Sequence, residues 1–239
     1  MLNNQTLELL NDLAILFPAF LLVFTCRGFF KALMAKIMGD DTAQESGFLT
    51  FNPVVHVNLF GFLIMLFFIF FLGSLLLGTF PRGMLFILLI LIGVRWTNTV
   101  PMDEGNFKNH KLGVILSSLA GPIGNFILAL FFLYVLTYFP YQLFPKYVFI
   151  TLVSIFRAII ELAIFFCVLD LIPLPPFDGG RLLQFILPSS LDYVISWLEE
   201  YSVYVLLALF FLPIISDVFL RFLAILSVFV KHILLFLVF

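Results

Sequence analysis

The chain is short of charge. Only 11% of its 239 residues are Asp, Glu, Lys or Arg, and the net charge at pH 7 is −2. So few ions cannot solvate the surface of a globular protein this long, which excludes an ordinary soluble domain. A balance this close to neutral gives nucleic acid nothing to bind. Cysteine is also scarce. Cys26 and Cys167 both lie inside apolar runs, where a thiol packs as a small hydrophobe, and two of them make no disulfide framework. Residues 1–12 hold no Lys or Arg, so the basic start of a cleavable signal peptide is missing and the first apolar run reads as a retained helix. No internal repeat and no recurring ring of charges is visible, which leaves a transporter or channel without support.

What fills the sequence instead is hydrocarbon. The chain is 63% hydrophobic, carries 34 Phe, and has a mean hydropathy of +1.20. These values predict an all-α polytopic membrane protein, one domain over residues 1–239, with the lipid bilayer as its constant partner. Residues 13–26 are apolar, and Arg27, Lys31 and Lys36 then enter a pattern that stays helical as far as Gly39. A mixed loop to Gly61 precedes a second span over 62–77, a short turn over 78–83, and a third, short run over 84–94. The loop over 95–111 is the most polar. A fourth span covers 112–139 and a fifth 147–169, the latter holding Arg157 and Glu161 four apart, where they share a face and can pair. Residues 189–200 read as polar and amphipathic. Residues 201–239 read as one long or broken helix, with a kink at Pro213 and an Asp217–Arg221 pair. That makes about six crossings by length. If crossings alternate, Lys36, Arg95, Lys108, Lys111 and Arg181 share one side against Arg82, Lys146 and Lys231, which leans the first group toward the cytoplasm.

Two stretches stand out. Asp170 to Arg181 reads Asp-Leu-Ile-Pro-Leu-Pro-Pro-Phe-Asp-Gly-Gly-Arg. Its prolines break a helix, and broken backbone at membrane depth persists only inside protein or beside a wet cavity. Carboxylates at such a place are candidates for function; a Pro-rich turn at the interface is the plainer reading. Ala120-Gly121-Pro122-Ile123-Gly124-Asn125 offers small residues that let helix backbones approach, so helix packing is its simplest role.

Taken in order, the pieces resemble the site-2 protease family of intramembrane zinc metalloproteases. Gly39-Asp40-Asp41-Thr42-Ala43 and Leu49-Thr50-Phe51-Asn52-Pro53-Val54-Val55-His56 are similar to the segment after the family's first zinc-binding helix. Val100-Pro101-Met102 with Asn106-Phe107-Lys108-Asn109 is similar to the loop before its next span. Leu119 to Asn125 resembles its Ala-Gly-Pro-x-x-Asn motif, and Asp170 to Gly179 its Asn-x-x-Pro-x-Pro-x-x-Asp-Gly motif, with Pro173 and Pro175 at the two prolines. The resemblance covers about residues 17–183. It implies a site-2-protease-like core, a multi-pass protein of the cell (inner) membrane, and a cleft for the transmembrane helices of substrate or partner proteins. Asn52, Pro53, Gly121, Pro122, Asn125, Asp170, Pro173, Pro175 and Gly179 are its structural or cleft residues.

The same resemblance exposes departures. The family's His-Glu-x-x-His places two imidazoles on one helix face to hold zinc, with the glutamate as general base. The aligned residues here are Arg27, Gly28 and Lys31, and the Asn of the later motif is Asp170; Asp178 alone keeps a zinc-ligand identity. Zinc lowers the pKa of its bound water to about 7. A guanidinium and a charged ammonium have no lone pair for the metal, and glycine has no base. The chain's histidines are His56, His110 and His232, none at ligand spacing, and a site rebuilt from His56 and Asp178 lacks a third ligand. No cofactor is therefore expected, zinc being implied only if an atypical site exists. Two readings of the cations stay open: pairing of Arg27 and Lys31 with Asp178 and Asp170, or snorkelling to the headgroups. Two functions follow. One is a proteolytically inactive family member that binds transmembrane segments or a partner; the other is an active intramembrane zinc metalloendopeptidase with an atypical metal site.

Overall fold

The structure is a computed structural model that describes residues 4–58, 98–140, 143–175 and 177–239. The expected second and third spans, the turn between them, Arg82 and Arg95 lie outside the described residues. All regular structure among the described residues is helical, and four helices are long and apolar enough to cross a membrane.

Helix α1 runs Asn4–Met38, passing through Pro18, Arg27 and Lys31 without a break. Its end is set by Gly39, whose φ of 106° lies in the left-handed region. Gly39 N–H donates to Lys36 O at 3.0 Å and Asp40 N–H to Ala35 O at 3.0 Å, which satisfies the last carbonyls of the helix. Two short helices follow, α2 (Thr42–Glu45) and α3 (Pro53–His56). Helix α4 is His110–Tyr138, started by Asn109, whose side chain accepts from Leu112 N–H. Helix α5 is Lys146–Asp170 and α6 is Asp178–Ile186. Helices α7 (Asp192–Phe211) and α8 (Pro213–Val238) complete the chain.

Helices α1, α4 and α5 pack pairwise and enclose the core. Small residues set their spacing: Ala19 on α1, Ala129 on α4 and Ala163 on α5 are all fully buried. Aromatic rings fill what remains, with Phe24 and Phe166 at 4.8 Å between centroids. With no water to drive helices together inside lipid, close packing of this kind carries the association.

One expectation changes. Residues 189–200 are not a separate amphipathic piece; from Asp192 they run straight into the apolar residues up to Phe211 as a single helix. The break falls at Leu212, because Pro213 lacks the amide needed to extend α7 and instead opens α8. Arg157 and Glu161 form no ion pair among the described contacts, whereas Asp217 and Arg221 do, at 3.0 Å on an exposed face.

The end of α1 is tied to the start of α4. Asp40 is fully buried. Its carboxylate accepts from Thr42 N–H (3.1 Å), Thr42 O–H (2.5 Å), Asp103 N–H (2.9 Å) and Asn106 Nδ2 (3.2 Å), while Lys108 N–H donates to Met38 O. Burial pushes the Asp40 carboxyl up, but the hydrogen bonds from Thr42, Asn106 and Asp103 outweigh it and hold the group below the ordinary carboxylate value. A depressed folded value adds stability above the unfolded pKa of about 3.9, and that stability is lost as pH falls through the lower folded value. Asp40→Ala is expected to cost roughly 1–3 kcal/mol by leaving buried donors unanswered. A melting series from about pH 6 down to about pH 2 checks this, since the wild-type increment at neutral pH fades at the acid end and the variant lacks it throughout.

Candidate functional site

Arg27 and Lys31 sit one turn apart on α1, so their side chains leave the same face. Asp170 is the last residue of α5. The chain then turns from Leu171, pinned by buried Ile172, Leu174 and Phe177, and restarts as α6 at Asp178. Pro173 and Pro175 interrupt the helical ladder there, and Leu174 N–H to Ile172 O (2.7 Å) and Phe177 N–H to Leu174 O (3.0 Å) close the turn. The result brings two carboxylates from either end of the turn to two cations on α1.

The four side chains form one ionic cluster. Arg27 Nε donates to Asp170 Oδ2 at 2.5 Å and Nη2 to Asp170 Oδ1 at 3.0 Å, a two-pronged contact. Nη2 also reaches Asp178 Oδ2 at 2.8 Å, and Lys31 Nζ donates to Asp178 Oδ1 at 2.6 Å. Side-chain exposure is 19% for Arg27, 10% for Lys31, 3% for Asp170 and 6% for Asp178. Two positive and two negative charges therefore cancel inside the protein, the condition under which ions persist at membrane depth. Of the two arrangements left open by the sequence, the cations adopt pairing. Asp178 also occupies the first turn of α6, where the helix dipole favours an anion.

Helix α4 forms the floor. A Cβ on Gly121 would stand 3.2 Å from Arg27 Cγ and 3.4 Å from Asp178 Oδ2, so glycine lets the helix backbone lie against the ions. Gly124 admits Phe30 in the same way, and Cys26 Sγ contacts Gly124 O at 3.3 Å. Pro122 lies inside α4 without ending it. Asn125 and Ser118 lie one turn to either side of Gly121. Both are fully buried, and neither the amide of Asn125 nor the hydroxyl of Ser118 has a hydrogen-bond partner among the described residues.

Asn52 and Pro53 are not part of the cluster. Asn52 is exposed and caps α3 by accepting from Val54 N–H at 3.1 Å, and Pro53 is its first residue. Their effect is on His56, which α3 delivers to a site only 1% exposed against Gly28. His56 Nε2 lies 2.8 Å from Thr50 O, which makes it the donor and leaves Nδ1 with the lone pair. Burial holds the imidazole below its usual pKa against the pull of the Thr50 carbonyl. A second ionic group links α6 to the start of α4. Glu104 bridges Arg181 of α6 and His110 at the start of α4. Sequence reasoning missed the Asp40 knot and the Glu104 bridge. An Asp followed two residues later by Thr signals the first; no local pattern marks the second.

Among curated proteins, the chain is 32% identical over 198 residues to a Bacillus subtilis (strain 168) protein named "Putative zinc metalloprotease YwhC", a match spanning 82% of this chain and 79% of the relative. The chain belongs to this site-2-protease-like family. No family model matches it, and no solved structure does. The relative's name raises the question of zinc. Both oxygens of Asp178 are engaged by Lys31 and Arg27, and both oxygens of Asp170 by Arg27. The free lone pair of His56 faces Gly28. Among the described residues no three His, Cys, Asp or Glu side chains gather at metal-binding separation. The side chains of this site-2-protease-like protein, as arranged here, do not fit a zinc ion, which requires three protein donors with free electron pairs.

Proposed function

We propose that this site-2-protease-like membrane protein does not cut. In this reading Arg27, Gly28 and Lys31 replace the zinc-binding histidines and catalytic glutamate, and the retained scaffold binds transmembrane segments of substrate or partner proteins in the cell membrane. The observation that carries the reading is the double engagement of Asp178. Its two oxygens accept from Lys31 and Arg27, so the residue at the family's ligand position is committed to ion pairing.

Purified protein, measured for metal by mass spectrometry, is expected to hold less than about 0.1 zinc per chain, and chelator is expected to leave its melting temperature unchanged. Catalytic sites of this class hold their metal through three protein ligands, so about one zinc per chain would replace this reading with the second. That second reading, an active intramembrane metalloendopeptidase with an atypical site, is favoured by one observation, the description carried by the Bacillus subtilis relative. Cleavage of a model single-span substrate, abolished by chelator, is its positive test.

A further inference from the structure

The side-chain volume at position 28 is not empty. An ideal Cβ built on Gly28 would lie 2.2 Å from His56 Nδ1, 2.8 Å from its Cε1 and 3.1 Å from its Cγ. No real Cβ tolerates such an approach, so the ring stands where any side chain of residue 28 would begin. The ring is also held. Its Nε2 is bound to Thr50 O at 2.8 Å, Phe48 meets it edge-on with centroids 5.6 Å apart, and the Asn52 cap fixes the short helix that carries it. Its Nδ1 has no hydrogen-bond partner among the described residues and points at Gly28 of α1.

We infer that Gly28 and His56 are a matched pair: the imidazole, brought in from the turn at α3, occupies the place of the side chain at position 28 and sets its unpartnered nitrogen against the α1 backbone there. His56 is thereby a positioning residue, clamping the 42–56 segment onto α1. Side chain 28 and an inward His56 exclude each other. A carboxylate introduced at 28 must expel the ring, and with it the turn that carries it. That last consequence borrows from the proposed function only the equivalence of position 28 with the family's glutamate; the pairing itself rests on the distances above.

The experiment is a double-mutant cycle on the full chain in detergent, followed by thermal melting. Gly28→Ala is expected to lower the melting temperature by about 5 °C or more, although alanine is the better helix former. In a His56→Ala background the same change is expected to be neutral or slightly stabilising, because the slot has been vacated. Equal costs of Gly28→Ala in both backgrounds would show independent sites and overturn the inference. If His56→Ala does not fold, 15N NMR of imidazole-labelled protein decides. Wild-type His56 should show the Nε2–H tautomer, and Gly28→Ala should move its Nδ1 resonance; an unmoved resonance overturns the pairing. Gly28→Glu should in addition open the 42–56 segment to limited proteolysis, and protection equal to wild type would count against it. These readouts involve no metal. Zinc in the wild-type protein would remove the proposed function and leave the cycle standing, whereas additivity would do the reverse.

Discussion

Asp178→Asn is expected to produce one of the largest losses of stability of any single substitution in this chain, roughly 3–5 kcal/mol, or a fall on the order of 10 °C in the melting temperature in detergent. The carboxylate is almost inaccessible and holds two cations at once, Lys31 Nζ at 2.6 Å and Arg27 Nη2 at 2.8 Å. The amide keeps the shape but not the charge, so the cluster passes from neutral to net positive within a low-dielectric interior. Arg27 retains Asp170, but Lys31 loses the carboxylate with which it pairs. Removing the stranded cation should therefore recover much of the loss. The Asp178→Asn, Lys31→Met double variant is expected to melt well above the single one, because a paired charge replaced together with its partner costs little. A melting temperature for Asp178→Asn that matches wild type would show that the four ions do not hold the bundle.

Gly179→Ala should rival it for a different reason. A Cβ at 179 would stand 2.3 Å from Ile172 O and 2.5 Å from Leu171 O. Both obstacles are backbone, and the turn that holds them is closed by its own hydrogen bonds and anchored by buried Phe177 and Leu174. No rotamer change relieves the clash, so α6 must lift away from the turn and carry Asp178 off its cations. A loss of at least about 3 kcal/mol is expected, overpacking and broken ion pairs combined. Thermal melting checks the magnitude. A melting temperature within about 2 °C of wild type would mean that α6 does not lie against this turn as described.

The long apolar helices among the described residues were legible because hydrocarbon and length alone specify a membrane span. The end of α1 was equally readable, since Gly39 acts through the local backbone; α4 begins at His110, two residues ahead of the span expected from residue 112, because the Asn109 cap lies in a stretch that reads as polar loop. The site was legible in part. Arg27 and Lys31 at one-turn spacing declare a shared face, and the proline-broken stretch declares a turn with a carboxylate at each end. Which face Arg27 and Lys31 turned toward could not be read, because it depends on α5 and α6, distant in sequence. The Gly28–His56 contact was hidden for the same reason: a glycine in an apolar helix records that something comes close, never what. The junction near residue 200 was misplaced because polarity changes along α7 while its backbone hydrogen bonding does not. Pro213, which removes an amide, marks the true boundary.

The ionic cluster also has a consequence in time. Arg27 leaves the ribosome 143 residues ahead of Asp170, and Lys31 is 147 residues ahead of Asp178. Until Asp170 and Asp178 are made, α1 is a nascent segment whose two cations lack the carboxylates they pair with. Until then both long side chains have only lipid headgroups and water to solvate them. The firm seating of α1 is thus deferred until α5 and α6 have emerged, so that an earlier segment waits on a later one to complete assembly.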